Sequence, residues 1–258
     1  MKRDERRQMT MKMLVEQGSI SLEKLADEFA VSKMTIHRDL DDLETAGLLR
    51  KIRGGASIES STQFEADFQF RKQRAVREKF SIARKALSLI EPGMTVVLND
   101  GTTAGLLGEL LHEKRPLTVV TNNTAAIATL MHQNGITLIT IGGTYSRKFN
   151  GFFGIIAEES LTRIRADISF LSSPAVDGSI TFHMDEQVIR TKRLMMAAAN
   201  RSYLMVDDQK FGKSALHHFA DLSEFSGVIV NDGLSQITVN ELTRQGVTLI
   251  QAGEKMHG

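Results

Sequence analysis

Polar residues surround a glycine after a β-branched apolar run, Thr95–Leu98, in the second third of the chain. The residues in question are Asn99, Asp100, Gly101, Thr102 and Thr103. Glycine lets a backbone approach a ligand closely, and free N–H groups at the start of a helix bind anions such as phosphate. The segment therefore predicts an anion-binding strand exit. The alternative is a plain turn in which the two threonines only cap the next helix.

Similar polar residues follow later apolar runs. The candidates are Thr121, Asn122, Gly143, Arg147, Asp177, Glu186 and Lys210. A guanidinium suits phosphate oxygens, and amides and carboxylates suit hydroxyl groups. Arg147 and Lys210 are each typical of a surface charge when taken alone. Their recurrence at predicted strand exits favours one shared ligand site.

A parallel α/β sheet is the structure that would bring these exits together. The predicted strands are Thr95–Leu98, Leu117–Val120, Ile136–Ile141, Ile168–Ser172, Tyr203–Val206, Val228–Val230 and Val247–Ile250. The predicted helices are Thr102–His112, Ala125–His132, Asp185–Asn200 and Thr238–Arg244. Apolar strands that alternate with helices indicate a sheet covered on both faces. Ligands of such sheets bind at the carboxyl ends of the strands.

The first 58 residues follow a different pattern, with three short helices and a basic hairpin. The first helix ends at Gly18, and Ser21 and Ser32 are good N-caps for the second and third. In the third helix Ile36, Leu40, Leu43 and Gly47 share one face. The run 48–58, around Gly54, predicts a β-hairpin. This arrangement is that of a winged helix-turn-helix domain.

The third helix and the hairpin carry side chains that suit DNA. The predicted contacts are Ser32, Lys33, Met34, Thr35, His37, Arg38, Arg50, Lys51, Arg53 and Gly54. Arg38 can pair with guanine, and the hairpin cations suit phosphates. The acids farther along the helix are expected to point away from the duplex or to pair with Arg38. The alternatives are a solvated helical bundle, or a winged domain that binds protein.

The chain resembles the DeoR-type bacterial transcription regulators. The matching residues are Ser32–Leu40, Leu43-Glu44, Gly47-Leu48 and Arg50–Ala56, together with the polar strand exits named above. The resemblance implies a C-terminal effector domain similar to ribose-5-phosphate isomerase and CoA-transferase folds. It also implies a phosphorylated sugar ligand that releases the repressor from its operator. Three departures are His37, where the family usually has arginine, Asn99, where it has aspartate, and the segment 172–177, where the family is richer in glycine.

Composition excludes several classes of protein. The chain has no cysteine, so disulfides, iron–sulfur clusters and thiolate metal sites are excluded. The charged N-terminus does not resemble a secretory signal, and no apolar run is long enough to cross a membrane. We expect a cytoplasmic protein without a cofactor. We also expect no metal site, because the pair His217-His218 has no further ligand cluster nearby. The net charge of +1 argues against a non-specific polycation but not against a localised DNA-binding surface.

These observations predict a two-domain α/β protein. A winged helix-turn-helix domain spans residues 1–58, with its motif at about 20–39, and a helical connector spans 59–91. An effector-sensing domain spans 92–253, and 254–258 form a tail. The predicted function is a homo-oligomeric repressor, dimer or tetramer, of a carbohydrate-metabolism operon that binds operator DNA and a phosphorylated sugar or polyol. The main alternative is a sugar-phosphate isomerase that uses Asp100, Asp177, Glu186 and Lys210.

Overall fold

The computed structural model describes residues 2–45, 49–57 and 68–253 of the 258. The predicted positions Gly47, Leu48 and Ile58, the first part of the predicted connector, and the predicted tail 254–258 lie outside these residues. The chain divides into two compact units, 1–74 and 75–258.

The described residues of the first unit form four helices and a small antiparallel sheet. Its elements are α1 (Arg3–Gln17), β1 (Ser19–Ser21), α2 (Leu22–Phe29), α3 (Lys33–Thr45), β2 (Arg50–Ile52), β3 (Gly55–Ser57) and α4 (Phe68–Gln73). The sheet order is β1–β3–β2. Leu14, Leu25, Ile36 and Leu40 are fully buried in one apolar core. The predicted winged helix-turn-helix plan is confirmed.

Local hydrogen bonds explain where α2 and α3 begin. The Ser21 hydroxyl accepts a hydrogen bond from the Lys24 amide at 3.1 Å, and the Ser32 hydroxyl accepts one from the Thr35 amide at 3.2 Å. Both serines therefore satisfy N–H groups that a helix start leaves without a partner. Both predicted caps are confirmed.

The second unit is built on a seven-stranded sheet in which every strand runs parallel. Its helices are α5 (Val76–Leu87), α6 (Thr102–Leu110), α7 (Thr124–Leu130), α8 (Ile155–Thr162), α9 (Glu186–Ala198) and α10 (Gln236–Arg244). Its strands are β4 (Thr95–Leu98), β5 (Leu117–Thr121), β6 (Ile136–Thr140), β7 (Thr144–Ser146), β8 (Gly151–Phe153), β9 (Ala166–Ser172), β10 (Ala175–Asp177), β11 (Ile180–His183), β12 (Ala199–Met205), β13 (His217–Asp221), β14 (Gly227–Val230) and β15 (Leu249–Gln251).

The strand order of the large sheet is β15–β14–β12–β9–β4–β5–β6. Separate apolar clusters cover its two faces. The first includes Val96 and Leu98, and the second includes Val97 and Val120. The predicted parallel sheet with two covered faces is therefore confirmed.

Three features of this unit differ from the sequence predictions. The hairpin β7–β8, helix α8 and the small antiparallel sheet β10–β11–β13 were not predicted. His217 and His218 lie on β13 of this small sheet, and neighbouring side chains of a strand point to opposite faces.

The predicted helical connector 59–91 is not a single element. The boundary between the units falls between Arg74 and Ala75, and α5 belongs to the second unit. Ile82, Ala83 and Ala86 of α5 are fully buried in the core against one face of the large sheet. The apolar stripe of this segment therefore packs in the sheet domain instead of linking two domains.

Replacement of Gly55 by alanine tests the packing of the wing. A Cβ at Gly55 would lie 2.2 Å from the Ile20 carbonyl oxygen, and this backbone atom has little room to move. We expect Gly55→Ala to destabilise the chain by about 3 kcal/mol. Gly54→Ala is the matched control, because Gly54 has a positive φ of 80° but open space around its Cβ position. We expect about 1–2 kcal/mol there. Equal losses for the two variants in urea unfolding would contradict this account.

Candidate functional site

Helix α3 presents a row of side chains to solvent. Met34 is 63% exposed, and His37 and Arg38 are also exposed. Ile36 and Leu40, on the opposite side of the helix, are buried in the core. The buried stripe fixes the rotation of α3, so the exposed row is held outward on a rigid element.

Two of the predicted phosphate contacts already have acidic partners. The Lys33 ammonium lies 2.6 Å from Glu23 Oε1, and the Lys51 ammonium pairs with the Asp41 carboxylate. The hydrogen bond and the charge of Lys33 lower the pKa of the Glu23 carboxyl. Arg53 and Gly54 are exposed in the turn of the wing. The predicted DNA side therefore carries paired as well as exposed cations.

The acids of α3 do not all behave as predicted. Asp39 is 2% exposed and accepts a hydrogen bond from Arg6 of α1. Arg7 lies 3.7 Å from the same carboxylate and also pairs with Asp42. Pairing of these acids with Arg38, as the sequence suggested, is therefore wrong for Asp39 and Asp42. Their partners come from α1, which ties the first helix to the third.

Asn123 joins three elements at the carboxyl edge of the large sheet. Its amide nitrogen donates to the Asn99 carbonyl at 3.1 Å and to the Gly101 carbonyl at 2.9 Å. Its amide oxygen accepts from the Ala125 amide at 3.0 Å and caps α7. Asn123 was not among the predicted ligand residues, although its place before a helix was a signal for a cap. This side chain fixes the loop between β4 and α6.

Two amide oxygens at the same edge have no hydrogen-bond partner among the described residues. They are Asn99 Oδ1 and Asn122 Oδ1, and both side chains are fully buried. Asn122 Nδ2 donates to the Phe152 carbonyl at 2.9 Å, and Asn99 Nδ2 lies 3.5 Å from Asp100 Oδ1. Asn99 Nδ2 also lies 3.2 Å from Ser172 Oγ, a hydroxyl that can accept or donate. The Phe152 carbonyl and the Asp100 carboxylate only accept hydrogen bonds, so each amide turns its nitrogen toward them. Both oxygens consequently face away and remain available to a donor.

The start of α6 lies beside these amides. Gly101 is the N-cap, with a φ of 112°, and it supplies no side-chain hydrogen bond to the first turn. A Cβ at this position would lie 2.8 Å from Ser172 Oγ. Thr102 and Thr103 begin the helix and are more than 90% buried. The loop therefore brings first-turn N–H groups and two hydroxyls to the strand exit.

The hairpin β7–β8 is fastened over the exit of β5. The Phe152 amide donates to the Asn122 carbonyl at 3.1 Å, and the Thr124 amide donates to the Asn150 carbonyl at 3.1 Å. A Cβ at Gly151 would lie 3.1 Å from the Asn122 carbonyl oxygen. The absence of a side chain at this glycine allows the hairpin to approach the strand ends.

Two predicted site residues belong to this hairpin or its approach. Gly143 has a φ of 132°, and a Cβ there would lie 2.4 Å from the Phe153 carbonyl oxygen. Arg147 is exposed in the turn between β7 and β8. The structure therefore links both residues to the Asn122 exit through the hairpin.

A buried lysine, Lys192, lies beside this group and was not among the predicted site residues. It is 2% exposed, and its ammonium donates to the Ser172 carbonyl at 3.0 Å. The same nitrogen lies 3.9 Å from Asp100 Oδ1. The signal was present, because Lys192 shares a helical stripe with the apolar residues Val188 and Met195. A cation on an apolar stripe indicates a buried ion pair.

Four predicted ligand residues lie apart from this group or have other roles. The Thr121 hydroxyl donates to the Leu98 carbonyl at 2.8 Å, so it holds two strands together. Asp177 is exposed at the end of β10, and Glu186 pairs with Arg190 on the surface of α9 at 2.9 Å. Lys210 ends a short 3-10 helix after β12. Contact of these residues with a ligand stays a prediction.

Neither a metal site nor a membrane-spanning helix is found in the described part of the chain. No group of three or more histidine or acidic side chains there is placed to hold a metal ion. Within residues 2–45, 49–57 and 68–253, no helix is long and apolar enough to cross a bilayer.

Comparison with known proteins gives two family matches. The family model for the DeoR-like helix-turn-helix domain matches residues 6–62, and that for the DeoR C-terminal sensor domain matches residues 74–232. The chain is 34% identical over 236 residues to the lactose phosphotransferase system repressor of Staphylococcus aureus strain N315, covering 90% of this chain and 93% of that protein. It is 31% identical over 230 residues to the glycerol-3-phosphate regulon repressor of Escherichia coli K12, covering 88% and 90%.

One solved structure is similar over part of the chain. Ribose 5-phosphate isomerase A of Methanocaldococcus jannaschii aligns with a TM-score of 0.38 and 20% identity, over 52% of this chain and 54% of that chain. A similarity this low says nothing about the ligand or the reaction of this chain.

Substitution of Asn123 tests whether this residue holds the strand exit together. In Asn123→Asp the helix cap remains, but two carbonyl groups lose their donor and face a carboxylate. We expect a loss of about 2–4 kcal/mol in the free energy of unfolding. Asn240→Asp, at an exposed position of α10, is the control, with a change of about 0.5 kcal/mol or less. If both variants unfold at the same urea concentration, Asn123 does not have this role.

Proposed function

The chain belongs to the DeoR family of DNA-binding transcriptional regulators, and we propose that it represses a carbohydrate-metabolism operon until a phosphorylated sugar or polyol releases it. The exposed row Met34, His37 and Arg38 on a helix of fixed rotation is the observation that carries the proposal. The names of two relatives, repressors of a lactose phosphotransferase system and of a glycerol-3-phosphate regulon, support the choice of operon and ligand.

In the proposed complex α3 lies in the major groove, with its first turns against the bases. Arg38 pairs with guanine, Met34 contacts a thymine methyl, and His37 reaches a base edge or a phosphate. Ser32, Thr35 and the wing residues Arg50, Arg53 and Gly54 contact the phosphate backbone. The apolar packing of Ile36 and Leu40 supports this, because a base contact needs a helix that cannot rotate.

The proposed ligand binds at the exits of β4 and β5. Its phosphate lies at the start of α6, where N–H groups and the Thr102 and Thr103 hydroxyls converge, and where the helix dipole favours an anion. Its hydroxyl groups donate to the two buried amide oxygens of Asn99 and Asn122, which have no partner among the residues that the structure describes. An unmet buried acceptor is costly, so a hydroxyl-bearing ligand would stabilise the edge.

Release of DNA then requires two arrangements of a homo-oligomer that differ in affinity for the ligand. With twofold symmetry, two recognition helices would meet half-sites separated by about one helical turn of DNA, or a multiple of it. We place this oligomer in the cytoplasm, where operator and metabolite are both present.

An isomerase function is the weaker alternative. Such an enzyme needs a carboxylate base at the site. Here position 99 is an amide, and Asp100 lies 3.9 Å from the Lys192 ammonium. The proposal therefore contains no catalytic step, and sustained conversion of ribose 5-phosphate to the ketose would contradict it.

Arg38→Ala tests the DNA-binding face. The variant should bind a duplex from the promoter of its own gene at least about tenfold more weakly, since one bidentate base contact contributes about 1–3 kcal/mol. Fluorescence anisotropy gives the affinity, and circular dichroism checks the fold. Arg84→Ala, which removes a surface ion pair with Glu113 in the second unit, should leave binding unchanged. Equal affinity of Arg38→Ala and the parent chain would show that α3 does not read the bases.

Arg147→Ala and Lys210→Ala test the ligand site. Each variant should bind promoter DNA as tightly as the parent chain but lose its response to the ligand. The probes are ribose 5-phosphate, glycerol 3-phosphate and galactose 6-phosphate, with inorganic phosphate as reference. Thermal shift and DNA release are measured together, and Arg163→Ala at an exposed position of the second unit is the control. If both variants still release DNA normally with a compound that acts on the parent, neither cation contacts the ligand.

A further inference from the structure

Two acidic side chains occupy positions where DNA phosphates would otherwise meet lysines. Glu23, in the first turn of α2, lies 2.6 Å from the ammonium of Lys33 at the start of α3. Asp41 of α3 pairs with Lys51 of the wing strand β2. Both lysines are predicted phosphate contacts, and each has a carboxylate from its own domain as a partner.

Asp41 lies on the exposed row of α3, and Glu23 meets that helix through its pair with Lys33. Asp41 follows His37 and Arg38 by four and three residues, so it lies on the same exposed row of α3. Lys33 lies one residue before the exposed Met34, and its ammonium reaches back to α2. The side chains of Glu23 and Asp41 are 73% and 57% exposed, so a duplex can reach both pairs.

A carboxylate and a phosphate offer a lysine the same chemistry, an anionic oxygen that accepts its hydrogen bonds. At hydrogen-bond distance, the carboxylate and the phosphate therefore compete for the same lysine ammonium. An exposed ion pair is weak, so DNA can displace the carboxylate. The displaced carboxylate then remains within a few ångströms of the phosphate backbone and repels it.

We propose that Glu23 and Asp41 are internal competitors of DNA phosphate that keep binding to random sequence weak. This inference rests on the docking of α3 described under the proposed function. Binding to random sequence depends almost wholly on phosphate contacts, whereas the operator also offers the base contacts of Arg38. The competition therefore lowers affinity for random DNA while the base contacts keep their full contribution.

The experiment measures the affinity of the whole chain for a random-sequence duplex of about 30 base pairs. Fluorescence anisotropy gives this affinity at each of several salt concentrations. Glu23→Gln should raise the affinity for this duplex about threefold to tenfold at low salt. It should also steepen the plot of log affinity against log salt by about one, because one more lysine contacts phosphate. Asp41→Asn should change both quantities in the same direction.

Two controls separate competition from a general change in charge. Glu28→Gln removes an exposed acid of the last turn of α2 and should leave affinity and slope nearly unchanged. Lys33→Gln removes the contested lysine, so Glu23→Gln in that background should have almost no effect. Circular dichroism confirms the fold of each variant.

The outcomes distinguish this inference from the proposed function. A parent chain that prefers its promoter and loses this preference in Arg38→Ala supports the proposed docking. If Glu23→Gln then leaves affinity and salt slope nearly unchanged, as Glu28→Gln does, Glu23 does not compete with DNA phosphate. The same conclusion follows if Glu23→Gln keeps its full effect on affinity in the Lys33→Gln background. If the parent chain binds promoter and random DNA with equal affinity, the proposed docking of α3 is wrong, and the inference that rests on it is wrong as well.

Discussion

The common direction of the seven strands in the large sheet is the constraint on which the candidate ligand site depends. Because all strands run parallel, all their carboxyl ends lie at one edge, and apolar clusters bury both faces between the ends. Polar side chains that would have no hydrogen-bond partner inside such a sheet lie instead at the carboxyl ends of its strands. The buried amides Asn99, Asn122 and Asn123 lie there for this reason.

These three amides differ in their hydrogen bonding: Asn123 supports the fold, and Asn99 and Asn122 each leave an oxygen for the proposed ligand. Asn123 uses both its nitrogen and its oxygen within the protein and holds β4, α6 and α7 in place. Asn99 and Asn122 use only their nitrogens, and their oxygens have no partner in the described residues. A fully bonded amide stabilises the edge, whereas an unmet acceptor lowers stability until a donor arrives.

Many charged side chains of the first unit also have their partners within the protein. Arginines of α1 surround the buried Asp39, so most of the basic N-terminus serves the packing of α1 on α3. Lys33 and Lys51, on the proposed DNA side, are paired with Glu23 and Asp41. Many cations of this unit are therefore paired with acids of the same unit, whereas Arg38 and His37 are exposed on α3. A surface of this kind favours recognition of particular bases over general attraction to DNA.

The sequence by itself determined the elements whose pattern is local. Periodic apolar residues, serine caps and β-branched runs placed α2, α3 and the strands β4, β5 and β6 to within a residue or two, because each depends on neighbours a few positions away. Only the tertiary structure decided which groups meet over long separations. Arg6 and Asp39 are 33 residues apart, Lys192 and Ser172 are 20 apart, and the hairpin β7–β8 reaches Asn122 from about 30 residues away. Spacing along the chain carries no signal for such contacts, since packing of distant elements creates them.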